Sequence, residues 1–344
     1  MSPRPERWLY PTPAGLYCEP GDFHVDPVRR ADRAVITHGH SDHARPGHDH
    51  VLATAPTLAI MRARLGEAAG GSLQPLGYGE TLSIGEVAVR LVPAGHVLGS
   101  AQAVLEYRGS RIVVSGDYKR RFDATCAGFE PVPCDVFITE ATFGLPVFRH
   151  PPDGHEIGRL LKSLGLFPER CHVVGVYALG KCQRVLTLLR AAGYDAPVYL
   201  HGALATMCDL YRAQGVELGP VLPALGVDKV ELQGRIVLAP PSAMTDRWSR
   251  RLPDPLVAMA SGWMSVKQRA KQRGVELPLV ISDHADWDEL LRTFADVGAP
   301  EIWVTHGREE ALVHQATRLG YRARALSLVG FEEEGDVGGE RMEA

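Results

Sequence analysis

Five of the chain's fourteen histidines fall within His38–His50, where an even spread would put about half a histidine in any thirteen residues. Imidazole is the commonest side-chain ligand for metals, so this window is the first place to look for chemistry. At its head stands His38-Gly39-His40-Ser41-Asp42-His43, which packs four metal-binding side chains into six residues. On one tight loop, His38 and His40 can face one cation while Asp42 and His43 face a second. Two neighbouring cations need further nitrogen and oxygen ligands and a carboxylate that bridges them. His96, in Gly95-His96-Val97-Leu98-Gly99-Ser100, and Asp117, in Ser115-Gly116-Asp117, have the types required. His48 and His50 lie outside the spacing and read as loop histidines.

Such residues must be delivered by rigid elements. Short β-branched runs are bounded by Gly, Pro or Asp at Phe23–Asp26, Ala34–Thr37, Val87–Val92, Arg111–Ser115, Asp135–Thr139, Leu279–Ser282 and Glu301–Thr305. They read as buried strands. Most run into an Asp, Glu or His, and strand ends are where α/β folds build sites. Between them the pattern changes to alternating strands and helices. A helix over His155–Leu164 ended by Gly165, a strand from Cys171, a helix over Lys181–Ala192, a strand over Ala196–His201 and a helix over Leu204–Ala213 describe a second, smaller parallel α/β domain.

With these pieces in place, the chain resembles the metallo-β-lactamase superfamily: HxHxDH, a later His, a strand-end Ser-Gly-Asp and an upstream Asp26. Within it, Phe137–Gly144 around Glu140, Ser282–Asp286 around His284 and Val304–Gly307 around His306 resemble motifs A, B and C of the β-CASP nucleases. Val176–Arg184 is similar to a turn of the domain that family inserts. The opening Gly15–Phe23, with Thr37–Gly47, is most like the bacterial ligase-associated DNA exonucleases.

The resemblance implies an αββα sandwich with an inserted smaller α/β domain. The expected boundaries are 1–146 plus 281–330 for the metal-binding domain and 147–280 for the insert, with an acidic, flexible tail at 331–344. It implies two divalent ions, Zn2+ or Mn2+. His38, His40 and His96 would hold one, Asp42, His43 and His306 the other, with Asp117 bridging and Asp26 orienting ligands from behind. Glu140 and His284 would pair beside the scissile phosphate, His284 protonating the leaving oxygen. The implied activity is hydrolysis of DNA phosphodiesters, as an exonuclease in repair or end processing, by water that the two cations activate. An ATP-dependent DNA ligase pathway is the implied partner. RNA is the alternative substrate, because a His at motif C is the usage of RNA-processing members. A catalytically inactive nucleic-acid scaffold is the alternative of another class.

Composition bounds the rest. The 344 residues are 45% apolar, with 37 Lys and Arg against 41 Asp and Glu. That is ordinary globular usage, which excludes disordered, collagen-like and coiled-coil classes. No apolar run approaches the ~20 residues of a membrane span, and Met1–Arg7 does not read as a signal peptide. A cytoplasmic protein without membrane contact is expected, its six cysteines reduced and buried. The slight acidity hides a basic stretch. Residues 235–273 carry eight Arg and Lys, among them Arg247 and Arg250, against Asp246 and Asp254, with Trp248 and Trp263 interleaved. Cations mixed with aromatics suit a single strand with stacked bases. Lys119, Arg120 and Arg121, following Asp117, form a second candidate for nucleic-acid contact. Lys181, at the Gly180–Lys181 strand-to-helix turn, is a third. His201, after a strand of the insert, is a further candidate for a substrate phosphate.

Overall fold

The computed structural model describes residues 3–326 and Leu328. The expected acidic tail lies outside the described residues. These residues divide into two compact units. One is built from the chain through Arg149 together with the stretch from His284 onward; the other is His150–Asp283.

The first unit is an αββα sandwich. One six-stranded sheet runs in chain order from Leu9–Thr12 to Ser72–Pro75. The facing seven-stranded sheet runs from Arg322–Ala325 at one edge, through Glu301–Gly307, Val136–Ala141 and Ser110–Val114, to Thr81–Ile84 at the other. Alternation along the strands explains why both faces of the second sheet are covered. Ile112, Val114, Val136, Ile138 and Trp303 point inward, onto Leu16, Val25, Val35 and Leu52 of the first sheet. Val113, Phe137, Ile302 and Val304 point outward and pack under Leu290, Phe294 and Val297 of helix Trp287–Val297 and Leu312 and Ala316 of helix Glu309–Arg318. Helix Ala55–Leu65 covers the far face of the first sheet through Leu58 and Met61.

The second unit is built on a six-stranded parallel sheet, ordered Val221–Pro223, Val198–Leu200, Ile236–Ala239, Cys171–Gly175, Pro255–Ala260, Leu277–Leu279. Two local expectations are corrected here. Gly165 does not end its helix, which spans Asp153–Leu166, since nothing sits within 4 Å of where its Cβ would be and a helical glycine costs only ~1 kcal/mol. The strand expected at Leu279–Ser282 lies earlier, at Leu277–Leu279, so Ser282 and Asp283 belong to the loop that leads to His284. Among the described residues no helix is long and apolar enough to cross a membrane.

Candidate active site

The site is assembled at strands of both sheets of the first unit and at the loops that leave them. His38 follows strand Arg33–Val35, His96 follows Val87–Pro93 and Asp117 follows Ser110–Val114. Glu140 lies in strand Val136–Ala141, and His306 in Glu301–Gly307. The His38–His43 loop is closed by the amide of Ala44 donating to the carbonyl of His40 at 2.8 Å. Arg64 donates to the carbonyl of Gly39 at 2.6 Å. Ser100 Oγ accepts from the amides of both His96 and Val97, which fixes the second loop.

Four ligand atoms converge: one each from His38, His40, His96 and Asp117 lie within 4.8 Å of one another. His38 Nε2 is 3.2 Å from His40 Nδ1, which is 3.0 Å from His96 Nε2. Asp117 Oδ2 is 3.4 Å from His38 Nε2 and 3.8 Å from His96 Nε2. A tetrahedron with metal–nitrogen bonds of ~2.0–2.1 Å has edges of about 3.3–3.4 Å, so these separations fit one cation among the four. Burial pushes the pKa of His38 well below the usual imidazole value, assisted by the neighbouring His43 and opposed by Asp117. His38 is therefore neutral, as a ligand must be.

The tautomers are set from behind. Asp26 accepts from the Thr37 amide at 2.7 Å and hydroxyl at 2.6 Å, and from His43 Nδ1 at 2.7 Å. The carboxylate can only accept, so His43 carries its proton on Nδ1 and turns Nε2 to the site. Thr37 Oγ1, having given its proton to Asp26, can accept from His38 Nδ1 at 3.1 Å, which frees His38 Nε2 in the same way. One buried Asp thus orients two histidines, an arrangement typically worth ~10–100-fold in metal affinity.

The second expected ligand set is gathered less tightly. Asp42 and Asp117 each lie 3.5 Å from His43 Nε2. The His306 ring centre is 5.3 Å from that of His43, and His306 is in neither tight group of ligand atoms. Its backbone is left-handed, φ 59°, a costly conformation for a non-glycine residue that is found mainly at functional sites. Burial, and secondarily His43, drive its pKa down to about 3.

His43 departs in the opposite direction from His38 and His306. Burial disfavours its protonation, but Asp117, Asp42 and Asp26 together outweigh that and hold its pKa well above the ordinary value. In the metal-free protein it carries a proton that a cation must displace. Uptake of a divalent ion is therefore expected to release a proton, with apparent affinity rising as pH climbs toward the raised His43 pKa. Titration calorimetry in buffers of different ionisation enthalpy reads that proton directly.

A second tight group is Asp117, Glu140 and His284. Glu140 Oε2 and Oε1 lie 2.9 and 3.1 Å from His284 Nδ1, and Oε1 also accepts the Tyr118 amide at 2.8 Å. Facing a carboxylate, His284 Nδ1 is the donor, which leaves Nε2 available. Burial raises the Glu140 pKa, while the attraction of His284 works against that rise.

Gly116 shows how tightly this floor is packed. Its φ is +56°, and a Cβ there would lie 2.7 Å from Thr37 Oγ1. Gly116→Ala is expected to destabilise the protein by about 1–3 kcal/mol through backbone strain, and to push Thr37 off Asp26. An unchanged melting temperature would contradict this.

The expected nucleic-acid contacts fare unevenly. Lys119 is buried and paired with Asp123. Arg120 binds Asp296 and Thr293, and Arg121 binds Asp286 and Glu289. This basic run is consumed internally, which corrects its reading as a phosphate-binding face. Lys181 is also corrected: it is buried in the second unit, with Nζ 2.8 Å from Asp283 and 2.9 Å from the carbonyl of Ile281. Trp263 is 6% exposed, with Arg269 4.2 Å above its ring, so it offers no open face for a base. Arg247 and Arg250 are exposed and Trp248 is half-buried, its ring 4.7 Å from His201. His48 is buried and accepts the Ala31 amide. The Asp26–Thr37 link, and the role of the Tyr118 amide in holding Glu140, had no signal in the sequence beyond Asp26 standing at a strand end.

No protein-family model matches the sequence. It is similar to a probable DNA ligase of Opitutus terrae, 30% identical over 91% of this chain but only 30% of that protein. It is similar to ribonuclease TTHA0252 of Thermus thermophilus, 26% identical over 90% of this chain and 89% of the relative. An endoribonuclease YSH1 of Gibberella zeae is 28% identical over 55% of this chain and 27% of its own. The chain thus spans less than a third of the ligase's length and most of the ribonuclease's. In fold it resembles a crystal structure of an Enterococcus faecalis V583 protein of unknown function, with a TM-score of 0.55 at 14% identity, covering 87% of this chain and 80% of that one.

Proposed function

We propose that this chain, which belongs to the β-CASP nucleases of the metallo-β-lactamase superfamily, is a metal-dependent phosphodiesterase that trims DNA ends. What carries the reading is the convergence of four buried ligand atoms beside the Glu140–His284 pair. A β-lactam or thioester hydrolase has no use for that pair, since its leaving group is not a sugar alkoxide.

His38, His40, His96 and Asp117 would hold one cation, and Asp42, His43 and His306 a second that shares Asp117. Bound there, two cations would lower the pKa of water and stabilise the charge of an in-line displacement at phosphorus. The nitrogen and oxygen set suits zinc or manganese. The chain's own residues do the rest. Asp26 keeps Nε2 of His43 turned inward, and through Thr37 that of His38. Glu140 holds the His284 ring by Nδ1 and favours its protonated form. His284 Nε2 then gives its proton to the departing 3′-oxygen, leaving a 5′-phosphate and a 3′-hydroxyl. Positioned proton donation of this kind is worth ~10²–10⁴-fold.

Similarity along nearly the whole chain to a probable DNA ligase supports DNA as the substrate, and end trimming as work that precedes joining. Exposed Arg247 and Arg250 beside Trp248 are the remaining candidates for contact with the strand. RNA is the second reading, supported by the match that covers 89% of ribonuclease TTHA0252. A time course on single- and double-stranded DNA and RNA, labelled at either end, with Zn2+, Mn2+ or Mg2+, decides. Faster loss of DNA label from one end supports the proposal. Faster RNA cleavage favours the second reading, and no cleavage with any ion favours an inactive scaffold.

A further inference from the structure

We infer that Arg121 is a positioning residue for His284, holding the loop that presents the proton donor. The inference rests on the proposed role of His284.

Residues 117–121 run alongside 284–289 within the first unit, and the two segments are joined at successive points. Asp117 belongs to both tight ligand groups. The next peptide is bonded on both sides: the Tyr118 amide donates to Glu140 at 2.8 Å, and its carbonyl accepts from the Ala285 amide at 2.7 Å. One residue therefore ties the metal-facing Asp117 to both members of the Glu140–His284 pair. Arg121 completes the tie. Its Nη2 donates to Asp286 Oδ2 at 2.9 Å, and its Nε to Glu289 Oε1 at 3.3 Å.

Those carboxylates are themselves the cap of helix Trp287–Val297. Asp286 Oδ1 accepts the Glu289 amide at 3.0 Å, and Glu289 Oε2 accepts the Asp286 amide at 3.2 Å. The helix N-terminus favours negative charge, but two largely buried carboxylates side by side repel each other. A guanidinium forked between them relieves that repulsion and leaves the cap intact. Removing it would make the cap and the two residues before it shift, and the residue two before Asp286 is His284. A buried network broken at one member is costly because the partners stay behind uncompensated. An error well under 1 Å at a proton donor matters when the transfer needs hydrogen-bond contact.

The test compares wild type, Arg121→Met, Arg121→Lys and Asp286→Asn on two substrates with Mn2+. One is a labelled oligonucleotide, whose sugar alkoxide needs a proton to leave. The other is bis(p-nitrophenyl) phosphate, whose nitrophenolate leaves without one. Arg121→Met is expected to lose ~10–100-fold in kcat on the oligonucleotide with KM and its salt dependence unchanged, and to keep nearly all activity on the diester. Arg121→Lys should recover part of the loss. Asp286→Asn, which still caps the helix, should show the same substrate split and combine non-additively with Arg121→Met. Equal losses on both substrates would mean a merely structural residue. A raised KM with a shallower salt slope would mean a phosphate contact, and either result overturns the inference. Wild type inactive on both substrates would instead overturn the reading of the site itself, and the inference with it.

Discussion

Asp117→Asn is expected to abolish metal-dependent cleavage, lowering kcat/KM on the order of 10³-fold or more while leaving the metal-free protein folded. Asp117 is the one residue common to both tight groups of ligand atoms, and its Oδ2 faces His38, His43 and His96 within 3.8 Å. Burial works to raise its pKa, but the charge and hydrogen bond of His43 prevail and hold it well below the ordinary carboxylate range. Its charged form is favoured by the imidazoles around it. Asparagine keeps the shape and removes the charge, and its N–H finds no acceptor on ring nitrogens whose lone pairs a cation would take. Losing a few kcal/mol of charge stabilisation corresponds to about three orders of magnitude in rate. Metal content, kcat/KM and melting with and without added Mn2+ measure the effect. Because binding to the native state stabilises it, the wild-type melting temperature should rise with Mn2+ and that of the variant should not. Cleavage within tenfold of wild type in a metal-depleted variant would sink the two-cation assignment.

His284→Ala is expected to cost ~10²–10⁴-fold on an oligonucleotide and little on bis(p-nitrophenyl) phosphate. Glu140→Gln should show the same selectivity with a smaller loss, because the amide can still orient the ring but no longer stabilises its charged form. The contrast separates proton donation from ligation. Were His284 mainly a ligand, its loss would depress both substrates alike and lower metal content. The His284 ring centre lies 4.6 Å from that of His96, so the metal content of the variant has to be measured beside its rate.

Much of the site was legible because its determinants are local. His38, His40, Asp42 and His43 sit on one short loop, and Ser-Gly-Asp places Asp117 at a strand end whatever surrounds it. The strands were legible for the same reason. Val113 and Phe137 alternate with Ile112, Val114, Val136 and Ile138, and that period of two is written in the sequence. Gly165 misled because an exposed helical position tolerates glycine.

Charge was a different matter. Lys119, Arg120 and Arg121 look like a surface run, and a basic run is worth reading as a phosphate contact until its partners are known. All of those partners but Asp123 are distant: Asp296 lies 176 residues from Arg120, and Asp286 and Glu289 lie 165 and 168 from Arg121. Lys181 is absorbed by Asp283, 102 positions along the chain. A sequence shows that a cation exists; only the fold shows whether a carboxylate has already neutralised it.

The sequence by itself determined which atoms can bind a cation, since ligand chemistry belongs to residue type and the loop spacing brings His38, His40, Asp42 and His43 together at short range. The tertiary structure decided which nitrogen each ring turns to the site. That choice depends on Asp26 and Thr37 behind His38 and His43, and on Glu140, 144 residues from His284. A hydrogen bond has direction and a reach near 3 Å, so no pattern of spacing can specify it until the chain has folded.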